Sequence, residues 1–136
     1  MKTIPRPSPM GPCTETAQLL SNLQGITTAA HRLHLKVSGS GSYAAHKALQ
    51  DFYDGVPDLV DAVAEQYQGA REKLLDIPVP KVYACKTPME AVSHLKEIYE
   101  EVTQLQKLMP FSEVVNQLDE IKSLIASTKY KLLFLS

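Results

Sequence analysis

The chain has 136 residues, 44% hydrophobic and 21% charged, with 15 Asp and Glu against 14 Lys and Arg and a formal net charge of −1. This is the length of one domain able to bury a single core, and the composition fits neither a disordered chain nor a membrane protein. A charge so near zero gives no bulk attraction to nucleic acid or to an anionic membrane. The two cysteines, Cys13 and Cys85, are too far apart to read as a zinc site or a disulfide framework, and suit a reducing compartment. Residues 1–13 hold Lys2 and Arg6 without an apolar h-region, so no secretory signal is readable, and no apolar run reaches membrane-spanning length. A cytoplasmic location is expected.

Taken in chain order, the opening MKTIPRPSPMGPC carries Pro5, Pro7, Pro9 and Pro12. Proline fixes φ and lacks the N–H that a helix needs, so residues 1–13 are predicted to be a flexible or extended arm. A bundle domain over residues 14–136 is predicted to follow. Its first helix should start near Thr14, with Leu19, Leu23, Ile26, Ala30, Leu33 and Val37 forming one buried stripe, and Gly39 ending it. A second helix should restart at about Ser42 on the stripe Leu49, Phe52, Val56, Leu59, Val63, Tyr67, Ala70 and Leu74. Pro57 lies within that run; because the pattern continues in phase, a kink is expected rather than a stop.

Residues 76–86, DIPVPKVYACK, have no helical period and read as an extended connection. Thr87-Pro88-Met89-Glu90 is a capping box with proline at the first helical position, and opens a third helix whose stripe is Val92, Leu95, Tyr99, Val102, Leu105 and Leu108. Pro110 breaks the chain, and Ser112 is the predicted cap of a fourth helix carrying Val114, Leu118, Ile121, Ile125, Thr128, Leu132 and Leu135. Four amphipathic helices imply an all-α bundle. At about 3.3 Å per residue the dozen-residue link between helices two and three reaches ~35–40 Å. Helix two, at 1.5 Å per residue, is roughly 45 Å long. A ferritin-like bundle with one long crossover between helices two and three therefore fits, as does a simple up-down-up-down arrangement.

The chemistry-bearing residues concentrate between His31 and Glu65. His31, His34 and His46 are followed on helix two by Gln50, Asp54, Asp58, Asp61 and Glu65, a polar stripe spaced by three and four residues. Asp61 and Glu65 lie one turn apart and can hold the same ion. Imidazole nitrogen combined with carboxylate oxygen suits iron, manganese or zinc. Such a stripe is most often the solvated face of an amphipathic helix, and a single mid-helix histidine is more often packed or exposed than ligating. Geometry adds a constraint. His46 and Asp61 are separated by ~22 Å along one helix at 1.5 Å per residue. A metal site using both needs two chains, and a twofold axis would then make two identical sites.

The stretch from His34 to Glu65 resembles the signature of Dps proteins, the small twelve-subunit members of the ferritin superfamily. His34 and His46 have that family's twelve-residue histidine spacing, and Asp61 and Glu65, in DLVDAVAEQ, match the end of its motif. The resemblance implies a ferritin-like fold, a homo-oligomer built from twofold dimers, and a dinuclear iron site with ligands from two subunits. His34, His46, Asp61 and Glu65 are then the expected ligands, with His31, Asp54 and Asp58 accessory. Iron(II) would be oxidised there by peroxide or dioxygen and sequestered. The sequence departs from the family at Gln50, which stands where an acidic bridging ligand is usual and weakens the second metal position. It also departs in its arm, whose two basic residues give poor support for direct DNA binding. Its length is a third departure: the chain is short for the family, with no extra helix in the crossover. An alternative is a non-enzymatic ferritin-like shell or interaction protein with a degenerate metal site, which Gln50 favours. A nucleoid-binding protein is a third reading, poorly matched by the near-neutral charge.

Overall fold

The computed structural model describes residues 12–135, and the arm expected over residues 1–13 lies outside them except for Pro12 and Cys13. Four helices account for most of the rest: α1 Cys13–His34, α2 Ser42–Arg71, α3 Pro88–Leu108 and α4 Ser112–Phe134. The described residues contain no strand. None of these helices is long and apolar enough to cross a membrane.

Most of the apolar stripes become the core, joined by Leu20 and Ile98 from outside them, while Val37, Leu59, Ala70 and Tyr99 stay half-buried. Leu20, Leu23, Ile26, Leu49, Phe52, Val56, Tyr67, Leu95, Ile98, Leu118, Ile121 and Ile125 are all sealed from solvent. Each such side chain contributes about 1.5–3 kcal/mol of transfer free energy, so the stripes outweigh the modest helix propensity of the β-branched residues within them. The ends of three stripes stay outside: Leu74, Leu108 and Leu135 are exposed. Leu74 lies beyond the end of α2, where Glu72 turns left-handed at φ 58° and its N–H reaches Gln68 O. α2 itself runs unbroken through Pro57.

Several termini depart from the expected local signals. α1 begins at Cys13 and stops at His34, five residues before Gly39, which was expected to end it. The N–H groups of Lys36 and Val37 close back on Leu33 O, and Gly39 instead serves the turn into α2 at φ 93°. Ser112 is the first residue of α4 and not its cap: Phe111 occupies the cap position without a side-chain bond. The Phe111 ring packs edge-on against Tyr67, so burial sets that boundary. The capping box of α3 is realised in altered form. Thr87 Oγ1 accepts from Glu90 N, while Glu90 Oε1 accepts from Lys86 N rather than from the cap residue itself.

α1 and α4 each pack against both α2 and α3. Arg71 at the end of α2 donates to Cys13 Sγ at the start of α1, and Phe111 joins the same end of the bundle. At the opposite end, Ser42, Pro88 and Leu132 border one cavity. The link over residues 72–87 therefore leads from one end of the bundle to the other. All four principal helix pairs are antiparallel, and the two diagonal pairs are parallel.

Gly25 lets this link lie close to α1. A Cβ there would meet Lys81 O at 2.8 Å and the Tyr83 ring at 3.0 Å, whereas one at Gly69 would meet nothing within 4 Å. Gly25→Val is expected to cost about 1–3 kcal/mol through overpacking. Gly69→Ala, in the interior of a helix, should stabilise by about 0.5–1 kcal/mol. Urea midpoints of the two variants beside the parent check the pair; equal shifts would mean that the link is not seated on α1.

Candidate functional site

The turn between α1 and α2 folds the end of one helix back beside the start of the next, and this brings His34 and His46 together. Their rings stack with centroids 4.2 Å apart and planes 24° apart. His34 closes α1, where the last carbonyls have no partner within the helix. His46 Nδ1 donates to one of these, the His34 carbonyl, at 2.8 Å. A carbonyl can only accept, so the proton of neutral His46 sits on Nδ1 and its Nε2 keeps a lone pair. The same device orients histidines that bind metals, a backbone carbonyl fixing the tautomer from behind.

Tyr53 and His31 complete the cluster. Tyr53 Oη shares a 3.0 Å hydrogen bond with His34 Nε2. The His31 ring stacks on Tyr53 at 4.1 Å with 15° between planes, and lies 5.4 Å from His34. His31 is exposed, whereas His34 is 7% exposed with its Nδ1 buried and lacking a hydrogen bond. Burial first, then the neighbouring His46 and His31, pushes the pKa of His34 below its ordinary value, against smaller opposing pulls from the hydrogen bond with His46 and from Asp54. Burial and then Asp54 push the Tyr53 phenol up, so its oxygen stays a neutral hydroxyl that can accept from His34 Nε2–H, the tautomer that leaves the lone pair on His34 Nδ1. Tyr53 is not among the residues that the histidine and carboxylate spacing marks. Its seven-residue step from His46, two turns along α2, was the available signal.

Depression of the His34 pKa has a consequence for stability. The unfolded chain binds that proton more readily than the folded one, so the contribution of neutral His34 is complete above the unfolded value of 6.5 and is lost as pH falls through the lower folded value. Denaturant midpoints should fall between pH 7.5 and pH 5, and fall less in His34→Gln. An identical pH dependence in that variant would assign the effect to other groups.

The acidic half of the expected site lies elsewhere. Asp61 and Glu65 are exposed on α2, fifteen and nineteen residues beyond His46. Asp61 borders a small hollow between α1 and α2 with Gln24, Thr27 and Pro57. Asp54 and Asp58 are also exposed, and Gln50 is half-buried one turn after His46. Among the described residues no group of three or more His, Cys, Asp or Glu side chains is gathered so as to hold a metal ion. A single chain therefore joins the two histidines and leaves the two carboxylates apart from them.

Fold and cluster together define an all-α protein, a four-helix bundle with a histidine pair between the end of α1 and the beginning of α2. The chain belongs to the DUF5856 family, a family of unknown function, whose pattern it matches over residues 34–132. It is also similar to an uncharacterized 14.6 kDa protein of the mobD-ri intergenic region of Enterobacteria phage T4. The two are 26% identical over 125 residues, covering 92% of this chain and 93% of the phage protein. No solved structure matches the chain.

Proposed function

We propose that the protein is a ferritin-like, Dps-type iron protein that oxidises and sequesters iron(II) at sites shared between twofold-related subunits in a cytoplasmic oligomer. The observation that carries this reading is the His34–His46 pair, with the His46 tautomer set by a carbonyl and an unpartnered nitrogen on His34. The antiparallel packing and the long link between α2 and α3 support the ferritin-like assignment, since that topology needs one connection running the length of the bundle. Exposed Asp61 and Glu65 are available to a neighbouring chain.

Iron(II) is the substrate. Rings stacked 4.2 Å apart with planes 24° apart keep their in-plane lone pairs in separate planes, so the two do not converge on one ion. That suits two neighbouring ions, which in paired-metal sites lie about 3.5–4 Å apart. His34 and His46 of one subunit supply nitrogen, and Asp61 and Glu65 of the other supply anionic oxygen, with Glu65 bridging. Zinc or manganese fits the same donors. Each iron(II) gives up one electron, and two electrons with two protons convert one peroxide to two waters, leaving two iron(III). Neutral His34 keeps its lone pair near pH 7 because burial depresses its pKa.

Anaerobic loading with iron(II), followed by removal of free metal and metal analysis, tests the reading. About two irons per shared site are expected. One iron per site would show that Gln50 leaves the second position too weak. Retention no higher than for a His34→Ala, His46→Ala double variant would sink the iron reading. The alternative, a shell or interaction protein with a degenerate site, is favoured by Gln50, whose neutral amide lacks the charge needed to hold a second cation.

A further inference from the structure

The link over residues 72–87 covers only part of the groove between α1 and α3. Lys81 and Tyr83 lie over Gly25, and Ala84 O accepts from His94 Nε2, so the half of the groove near these residues is roofed. The half towards the start of α1 is open, a cleft of about 450 Å³. Its floor is apolar, made by Leu19, Leu105 and Leu108, of which Leu108 is 56% exposed. Four carboxylates border it, Glu15, Glu97, Glu100 and Glu101, and no Lys or Arg does. Their described partners are uncharged amides and one histidine: Asn22 donates to Glu101, Gln104 to Glu100, and His94 lies 3.7 Å from Glu97.

We propose that this cleft is the docking site of the chain's own residues 1–11. These residues enter the fold at Pro12, two residues before Thr14, which with Glu15 borders the cleft. They carry Lys2 and Arg6 and no acidic residue, the complement of a cleft whose charged lining residues are all glutamates. The reach is sufficient. Six Cα–Cα steps lead from Arg6 to Pro12, which span ~20 Å when extended. The α3 wall from Glu97 to Leu108 is roughly 16 Å long. Pro5, Pro7 and Pro9 restrict the backbone before docking, so less conformational entropy is lost on binding, and proline rings suit a shallow apolar floor flanked by acidic side chains. This inference is independent of the iron site.

Carbodiimide cross-linking of the full chain tests it, because the reagent joins the Lys2 amine to an adjacent carboxylate as an amide. Protein assembled from equal parts of ¹⁴N- and ¹⁵N-labelled chains separates links within one chain from links between chains. The expected products join Lys2 to Glu97, Glu100 or Glu101 within one chain. Arg6→Glu and Leu108→Ser both keep Lys2 and should each lower the yield by about 5-fold or more, the equivalent of ~1 kcal/mol of docking. Unchanged yields would mean that tethering alone brings Lys2 near, and would overturn docking. So would the absence of these links, or links only between differently labelled chains, which would mark the cleft as a contact with a second copy.

Discussion

Glu65→Ala is expected to lower the initial rate of iron(II) oxidation by more than about 100-fold while leaving the helical content intact. Loss of a partner that merely orients a ligand already costs about 10–100-fold in metal sites, and the proposed bridging carboxylate would touch both ions. Glu65 is exposed within one chain, so its removal leaves no cavity and no unpaired buried group. Gln50→Asp should act in the opposite sense, raising iron stoichiometry by placing an anion one turn after His46, beside the proposed second ion. Asp58→Ala, on the same helix, is the control and should change the rate little. Stopped-flow oxidation with iron stoichiometry per subunit reads all three. Equal rates for the parent and Glu65→Ala would reduce the polar stripe of α2 to a hydrated surface.

The bundle was legible in the sequence because hydrophobic spacing reports burial directly. Leu118, Ile121 and Ile125 fall three and four residues apart, and all three are sealed in the core. Signals that depend on a single local residue transferred less well. Ser112 has the chemistry of a cap, yet Phe111 sets the start of α4 by packing on Tyr67. Gly39 can end a helix, yet α1 has already ended at His34. The histidine pair was legible as a spacing but not as a contact. A twelve-residue separation becomes a 4.2 Å stack only because residues 35–41 return the chain on itself. The seven-residue step places Tyr53 on the helix face of His46, but its role comes from a hydrogen bond across two helices, which that spacing alone does not specify. The proposed pairing of Asp61 and Glu65 with histidines rests on the family resemblance, since along one helix His46 and these carboxylates are separated by a length that no side chain spans.

That separation makes the second large effect one of complementation. A chain with His34→Ala and His46→Ala and a chain with Asp61→Ala and Glu65→Ala should each be inactive when assembled alone. In a dimer of one chain of each kind, one site draws altered residues from both chains. The other site draws native histidines from one chain and native carboxylates from the other. Refolding equal amounts together gives about half mixed dimers, each with one of its two sites intact, so about a quarter of the parental activity should return. Helix content has to be equal in both variants for the comparison to hold. His46→Ala also removes the donor to the His34 carbonyl, which costs about 0.5–1.5 kcal/mol at a helix end that can take up water instead. The readout is the oxidation rate of the refolded mixture against the summed rates of the two variants refolded separately. Recovery shows that histidines and carboxylates meet across an interface. A mixture no faster than that sum would exclude the shared site, even if each variant retained the fold, because no single chain can bring His46 and Asp61 to one ion.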